Sequence, residues 1–413
     1  MHSISHKDIS GQALKVLHEL QKKGFDAYLV GGCIRDLLLG RSPKDFDVTT
    51  NATPDQVAQV FNNCRQIGRR FKIVHVIFAR DFIEVATFRG ASSDTNVQAS
   101  PNGFLVSDNS YSKSISDDAV RRDFTINCIY WNSLTGDLLC HKDAIEDIKN
   151  KVVRIIGDPV VRYKEDPVRI IRAIRFSTKL GMKIEDRTKA PIKDLGYLLK
   201  SVHSARIYDE VSKLFFFGNA VINFKMLKSY GLLPYLLSDV FTFKLHNKNM
   251  QNLVNNLLVS ADGIYSKGNR VSHSYFYSAL FWFPVMNSLK AFKAENPKIN
   301  QYQALRIVVD QWFKDLSVAI IFRKRLIFII FSIYHLQLRI ADSKKYKYPS
   351  IVNSEFFDKA IVLLDIRVAA NDSVAIASKK KWGDFHKLSP KAQKQVINQA
   401  KNKKIRKFTK KKI

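Results

Sequence analysis

Cysteine is scarce in this chain. Only Cys33, Cys64, Cys128 and Cys140 occur in 413 residues. No two form a CxxC pair and no histidines cluster. That excludes a disulfide framework and a zinc site, and it suits a reducing compartment, so a cytoplasmic location is expected. Long apolar runs are missing as well. The longest, Leu326 to Tyr334, is too short to cross a bilayer and follows Arg323-Lys324-Arg325, so no transmembrane segment is expected. No signal peptide is expected either, because Ser10 to Lys23 reads as an amphipathic helix closed at Gly24. There is no internal repeat. Acidic residues are the last shortage: 37 Asp and Glu face 67 Lys and Arg, a formal net charge of +30. An excess of this size points to a polyanionic partner, nucleic acid first and an anionic membrane surface second.

What is present divides in two. The first 155 residues read as mixed α/β, with strands expected at Ala27–Val30, Phe46–Thr49, Ile73–Phe78, Phe82–Phe88, Thr125–Trp131 and Val152–Ile155. Helices are expected at Cys33–Leu39 and Pro54–Phe61. Gly90 to Asp118 is rich in Ser, Asn and Asp, shows no period and reads as a long loop. After about Asp158 helical periods take over, and the aromatics of "SYFYSALFWFPVM" read as bundle core. The last 35 residues, from Lys379, hold fourteen Lys or Arg against one Asp. This tail is expected to be disordered until it meets a polyanion. The fold expected is thus α+β, a mixed α/β head followed by all-α regions.

The chemistry concentrates in "LVGGCIRDLLLGRSPKDFDVTT", Leu29 to Thr50. In a strand, residues i and i+2 share a face, so "KDFDV" would set Asp45 beside Asp47 while Phe46 and Val48 pack inward. Two close carboxylates repel unless a cation lies between them. Mg²⁺ combines one or two carboxylates with substrate phosphates. Thirteen residues earlier, Gly31-Gly32 stands between a strand and a helix, where backbone can approach a phosphate closely and Arg35 could reach the same group. Either feature alone is common. Together they describe a nucleoside triphosphate held over a divalent metal.

This stretch resembles the catalytic motif of class II nucleotidyltransferases of the DNA polymerase β superfamily, which contains CCA-adding enzymes and bacterial poly(A) polymerases. "IEVATFR" (83–89), "RRDFTIN" (121–127) and "RIIGDPVVRYKEDPVRIIRAIRF" (154–176) follow in the family's order. The resemblance implies a polymerase β-like head at 1–153, a helical neck that recognises the base at 154–215, a helical RNA-binding body at 216–378 and the basic tail at 379–413. It implies two Mg²⁺ ions on Asp45 and Asp47. Asp123 is the candidate third active-site carboxylate and Glu84 its competitor, unless Glu84 is merely an edge-strand charge. Arg122 would meet phosphate or ribose. Asp166 would accept from the exocyclic amine of the incoming base, and Arg169 would donate to its ring nitrogen. That pattern admits adenine and cytosine and excludes guanine and uracil. Arg172 and Arg175 would contact phosphate or nucleotide. Without the resemblance, Asp166-Pro167 is an ordinary helix N-cap followed by proline, and the three arginines an ordinary solvated stripe.

Three features favour polyadenylation over CCA addition. "GRRFKIVHVIF" (68–78) resembles the poly(A) polymerase form of its segment. The polar loop after "ATFRG" follows that subgroup's layout. The lysine tail suits a processive enzyme on generic RNA, because phosphate contacts ignore sequence. No His-Asp dipeptide occurs, so nothing suggests the phosphohydrolase domain found in some CCA-adding enzymes. The expected activity is therefore template-independent transfer of AMP from ATP to RNA 3′ ends. RNA-decay machinery is the expected downstream partner, and the chain is expected to be monomeric. CCA addition to tRNA and a non-catalytic RNA-binding role are the alternatives.

Overall fold

A computed structural model of the chain describes residues 4–68, 72–90, 98–99, 105–106, 111–237, 248–316, 320–342, 351–386, 392 and 395. The chain divides into two compact units, Met1–Ser201 and Val202–Ile413. The first takes in the whole expected head and most of the expected neck.

The first unit is built on a seven-stranded sheet of order β3-β4-β5-β2-β1-β8-β9. Its strands are β1 Ala27–Val30, β2 Asp47–Thr50, β3 Cys64–Ile67, β4 Ile73–Phe78, β5 Asp81–Thr87, β8 Ile129–Trp131 and β9 Leu138–Cys140. All neighbouring pairs are antiparallel except β2 with β5. Two short pairs are separate: β6 Gln98–Ala99 with β7 Leu105–Val106, and β10 Val152–Val153 with β11 Lys183–Ile184. The helices of this unit that matter here are α1 Gly11–Lys22, α2 Gly32–Leu38, α3 Pro54–Val60, α4 Ile115–Arg121, α5 Ala144–Lys149, α6 Pro159–Glu165 and α7 Val168–Leu180.

Local sequence explains the helix ends. The Ser10 hydroxyl accepts from Ala13 N–H to start α1. Thr53 and Gln56 form a capping box with Pro54 at the first turn of α3. Asp158 caps α6 ahead of Pro159. Gly181 closes α7 in the left-handed region, at φ +68°.

Several expectations shift. The strand expected over Thr125–Trp131 is a 3₁₀ turn, Thr125–Asn127, followed by a three-residue strand. The Asn127 N–H goes to Phe124 and that of Cys128 to Thr125, so these two N–H groups close the turn instead of joining a ladder. The expected loop Gly90–Asp118 contains the β6–β7 pair and the start of α4. Seven residues are too few for α4 to show a period; Ser114 starts it by accepting from Ser116 N–H.

The second unit is helical. Tyr277, Phe276, Phe281 and Trp282 of the aromatic run are buried, as bundle core should be. Tyr334 donates to the Ser278 carbonyl at 2.9 Å. Trp382 is buried with Leu336, Ile340, Phe357 and Leu364, and its indole donates to the Ile340 carbonyl. Among the described residues no helix is long and apolar enough to cross a membrane. Most of the lysine tail, and Arg69 to Phe71 of "GRRFKIVHVIF", lie outside the described residues.

Candidate active site

β1 ends at Val30 and the chain turns through Gly31 at φ +78°, ψ −121°, a conformation that excludes side chains. The Gly31 N–H donates to the Ile129 carbonyl, which ties the turn to β8. A Cβ here would come 3.4 Å from the Asn127 carbonyl oxygen and 3.6 Å from Arg122 Nη1. The Arg122 guanidinium thus lies beside the glycine turn. Its Nε and Nη2 donate to Asp118 at 3.0 and 2.9 Å, and Nε also donates to the Tyr130 hydroxyl at 2.8 Å. Tyr130 in turn donates to Asp118 at 2.7 Å. Burial alone would lower the Arg122 pKa, but Asp118 and Tyr130 outweigh it and raise it above the ordinary value. Arg122 is a fixed cation at the turn.

The acid pair is arranged differently from the expectation. β2 begins at Asp47, so Asp45 precedes the strand and does not share its pleat. The two still feel each other. Asp47 is accessible to solvent, yet enough protein surrounds its carboxyl to push its pKa up to about 6. Desolvation is the first cause, then Glu84 and Asp45, with Arg122 opposing. Glu84 is the residue directly opposite Asp47 in the β2–β5 register. Its pKa is also raised, by burial first and by Asp45, with Arg89 opposing. β5 lies inside the sheet, between β4 and β2, so Glu84 is not an edge-strand charge. His75 faces it from β4, Nε2 to Oε2 at 3.7 Å.

Asp123 is elsewhere in its interactions. Its carboxylate accepts from Arg172 Nε at 2.7 Å, Asn127 Nδ2 at 3.1 Å and the Phe124 N–H at 2.8 Å. Burial alone would raise its pKa, but Arg172 and these donors hold it down at about 2. The carboxylate placed against Asp47 is Glu84, and Asp123 is instead the anchor of an ion pair. Arg35 also departs from expectation. It is buried and donates to Asp36 at 2.6 and 2.8 Å and to Asn127 Oδ1 at 2.5 Å, so its guanidinium is turned into the protein. Asn127 therefore joins Arg35 to Asp123.

α7 carries the remaining candidates. Asp166 is extended and accepts from Val168 N–H at 3.3 Å, so the helix starts one residue later than an Asp166 cap with Pro167 at the first turn implies. Arg169 donates to Glu165 at 2.9 Å and to the Arg162 carbonyl at 2.8 Å. Arg162, also on Glu165, reaches back to the Arg121 and Arg122 carbonyls. The guanidinium carbons of Arg35, Arg172 and Arg175 lie 5.5, 5.1 and 4.4 Å from the Phe176 ring centre. Sequence reasoning did not single out Asp118, Asn127, Tyr130 or Phe176. The first two sit inside "DDAVRRDFTIN", and their polarity amid residues that become buried was the available signal.

Known proteins match the chain over most of its length. A family model described as the poly A polymerase head domain matches residues 27–154. A second, the probable RNA and SrmB-binding site of polymerase A, matches 181–243, and a third, the polymerase A arginine-rich C-terminus, matches 297–412. Poly(A) polymerase I of Salmonella typhi is 37% identical over 406 residues, covering 96% of this chain and 87% of that protein. The chain belongs to the poly(A) polymerase I family. A CCA-adding enzyme from Lactobacillus helveticus is 36% identical over 207 residues, half of each chain. The solved structure of the Bacillus stearothermophilus CCA-adding enzyme with CTP aligns at TM-score 0.62 and 22% identity, over 91% of this chain and 82% of that one. This likeness shows the shared fold. Membership makes the chain a polynucleotide adenylyltransferase of the class II nucleotidyltransferase type.

Proposed function

We propose that this chain adds AMP from ATP to RNA 3′ ends without a template, and that Asp45, Asp47 and Glu84 form its acidic centre. The observation that carries the choice within the class is the likeness to poly(A) polymerase I over nearly the whole chain, against half for the CCA-adding enzyme. The acidic centre fits a hard divalent cation: its donors are all carboxylate oxygens, and each like charge raises the pKa of Asp47. Among the described residues no three His, Cys, Asp or Glu side chains form a metal cage, so substrate phosphates would have to complete the shell of any ion held here. Two Mg²⁺ ions bound there would activate the 3′-hydroxyl and neutralise the departing pyrophosphate.

The chain's own residues do the rest. The Gly31-Gly32 turn lets a triphosphate approach the backbone, and Arg122, held by Asp118 and Tyr130, sets a positive charge beside it. The Arg35–Asn127–Asp123–Arg172 chain joins the turn-side helix α2 to α7, so the phosphate and base ends keep their spacing. Asp166 and Arg169 select the base, with Glu165 fixing the orientation of Arg169. The product is RNA longer by one AMP; repetition leaves a single-stranded tail on which 3′ decay can begin. The second unit and the lysine tail hold RNA through its phosphates.

The test is an extension assay with Mg²⁺, an end-labelled generic RNA, a tRNA lacking its terminal CCA, and each NTP alone. A long ladder on generic RNA with ATP only is the expected result. CTP incorporation confined to the tRNA, stopping after a few residues, would overturn the reading.

A further inference from the structure

Residues directly opposite on neighbouring strands project from the same face of a sheet. The pairs Arg65 with His75, His75 with Glu84, and Glu84 with Asp47 therefore form one row across β3, β4, β5 and β2. Phe82, two residues before Glu84, shares that face. Its ring lies flat on the His75 imidazole, with centroids 4.1 Å apart and planes 8° from parallel. Phe82 is 49% exposed, so this stack is not core packing. Arg65 is exposed at the outer end of the row. Read outward, the row runs from the acidic centre through a stacked aromatic pair to a cation at the sheet's edge.

We propose that Phe82, His75 and Arg65 form the platform on which the terminal nucleotides of the RNA primer dock. The inference rests on the acidic centre being the site of transfer, because the primer's 3′-hydroxyl must reach it. Every nucleobase has a π face, so stacking binds any 3′ end without reading it, which a template-independent enzyme acting on generic RNA requires. Arg65 is placed for the phosphate behind the stacked base. The base of the incoming nucleotide is allotted to Asp166, just before α7, and Arg169 on it. The platform on β3–β5 is a separate set of residues and takes the other substrate.

The wild-type enzyme is first shown to extend RNA with ATP; failure there sinks the underlying reading and not the platform as such. Steady-state constants are then measured for Phe82→Ala, Phe82→Trp and Arg65→Ala, with primer and ATP varied separately. Phe82→Ala should raise the primer KM by about tenfold, within the range for losing one base–aromatic stack. The ATP KM and the kcat at saturating primer should stay within about twofold. Phe82→Trp should restore the primer KM. Arg65→Ala should raise the primer KM and flatten its dependence on salt. A primer ending in 4-thiouridine should crosslink within residues 72–87. A fall in kcat with unchanged primer KM would mean that the stack serves only to hold Glu84, and would overturn the platform. So would an unaltered Phe82→Ala enzyme, or crosslinks confined to other segments.

Discussion

Asp47 and Asp123 are both carboxylates of the first unit, and their surroundings drive them in opposite directions. Asp47 is pushed up to about 6 by burial, Glu84 and Asp45. Asp123 is held at about 2 by Arg172, Asn127 and the Phe124 N–H. One acid stands among its own kind and the other is fully answered by donors. Like charges held together destabilise a fold, so they persist where a cation or a substrate completes them. Answered charges fix the geometry of their neighbours. The first pattern is what the proposed reacting centre requires and the second is what a brace requires, although both acids lie in motifs that look equally conspicuous in the sequence.

The largest break in this comparison removes the unanswered acid. Asp47→Ala should lower the single-turnover rate of AMP addition at least about a thousandfold, roughly 4 kcal/mol of barrier. RNA affinity should stay within about twofold, because a chain of net charge +30 loses one anion remote from most phosphate contacts. Extension kinetics and a filter-binding titration measure the two. Retained transfer would show that Asp47 is not part of the acidic centre.

Removing the answered acid should act on the fold. Asp123→Ala leaves Arg172 and Asn127 without their shared acceptor, at a cost of about 2–3 kcal/mol given that Arg172 is partly exposed. The sign of the pH effect follows from the depressed pKa. Unfolded, this acid titrates near 3.8; folded, at about 2. Its stabilising contribution is fully present above about pH 4 and is lost as pH falls toward 2. The gap in thermal midpoint between wild type and Asp123→Ala should therefore be wide at pH 7, about half as wide at pH 3 and narrow below pH 2. A gap that stays constant on acidification would contradict the ion-pair assignment.

How much of this was legible beforehand follows from the range of each interaction. The Gly31 turn, β1, β4 and α3 were readable because their causes are local: glycine punctuation, alternation, a capping box. Family motifs located Asp45, Asp47 and Glu84 but left open which acid joins the pair. That depends on Glu84 falling opposite Asp47 across β2 and β5, a register between segments 37 residues apart. The partners of Arg35 were hidden for the same reason. On α2 alone it looks like an outward cation, and only Asn127, 92 residues on, shows that it turns inward. The third case is α4, whose seven residues were hidden in a polar stretch too short to show a period.

The smallest effect sharpens the comparison most, because it asks for a gain. Asp47 titrates near 3.8 unfolded and at about 6 folded, so the folded state holds its proton more tightly. The stability that this proton lends is complete below about pH 4 and lost as pH rises through 6. Above that the ionised carboxylate is a net cost. Solvent reaches Asp47, so the cost is discounted to about 1 kcal/mol. Asp47→Asn mimics the protonated acid. Without divalent metal, the variant should match wild type at pH 4 and melt higher at pH 8. Adding Mg²⁺ at pH 8 should raise the wild-type midpoint and move the variant much less, since metal and amide relieve the same repulsion. Superimposable pH profiles for the two proteins would mean that Asp47 is not crowded by Glu84 and Asp45 in solution, and the contrast with Asp123 would lose its physical basis.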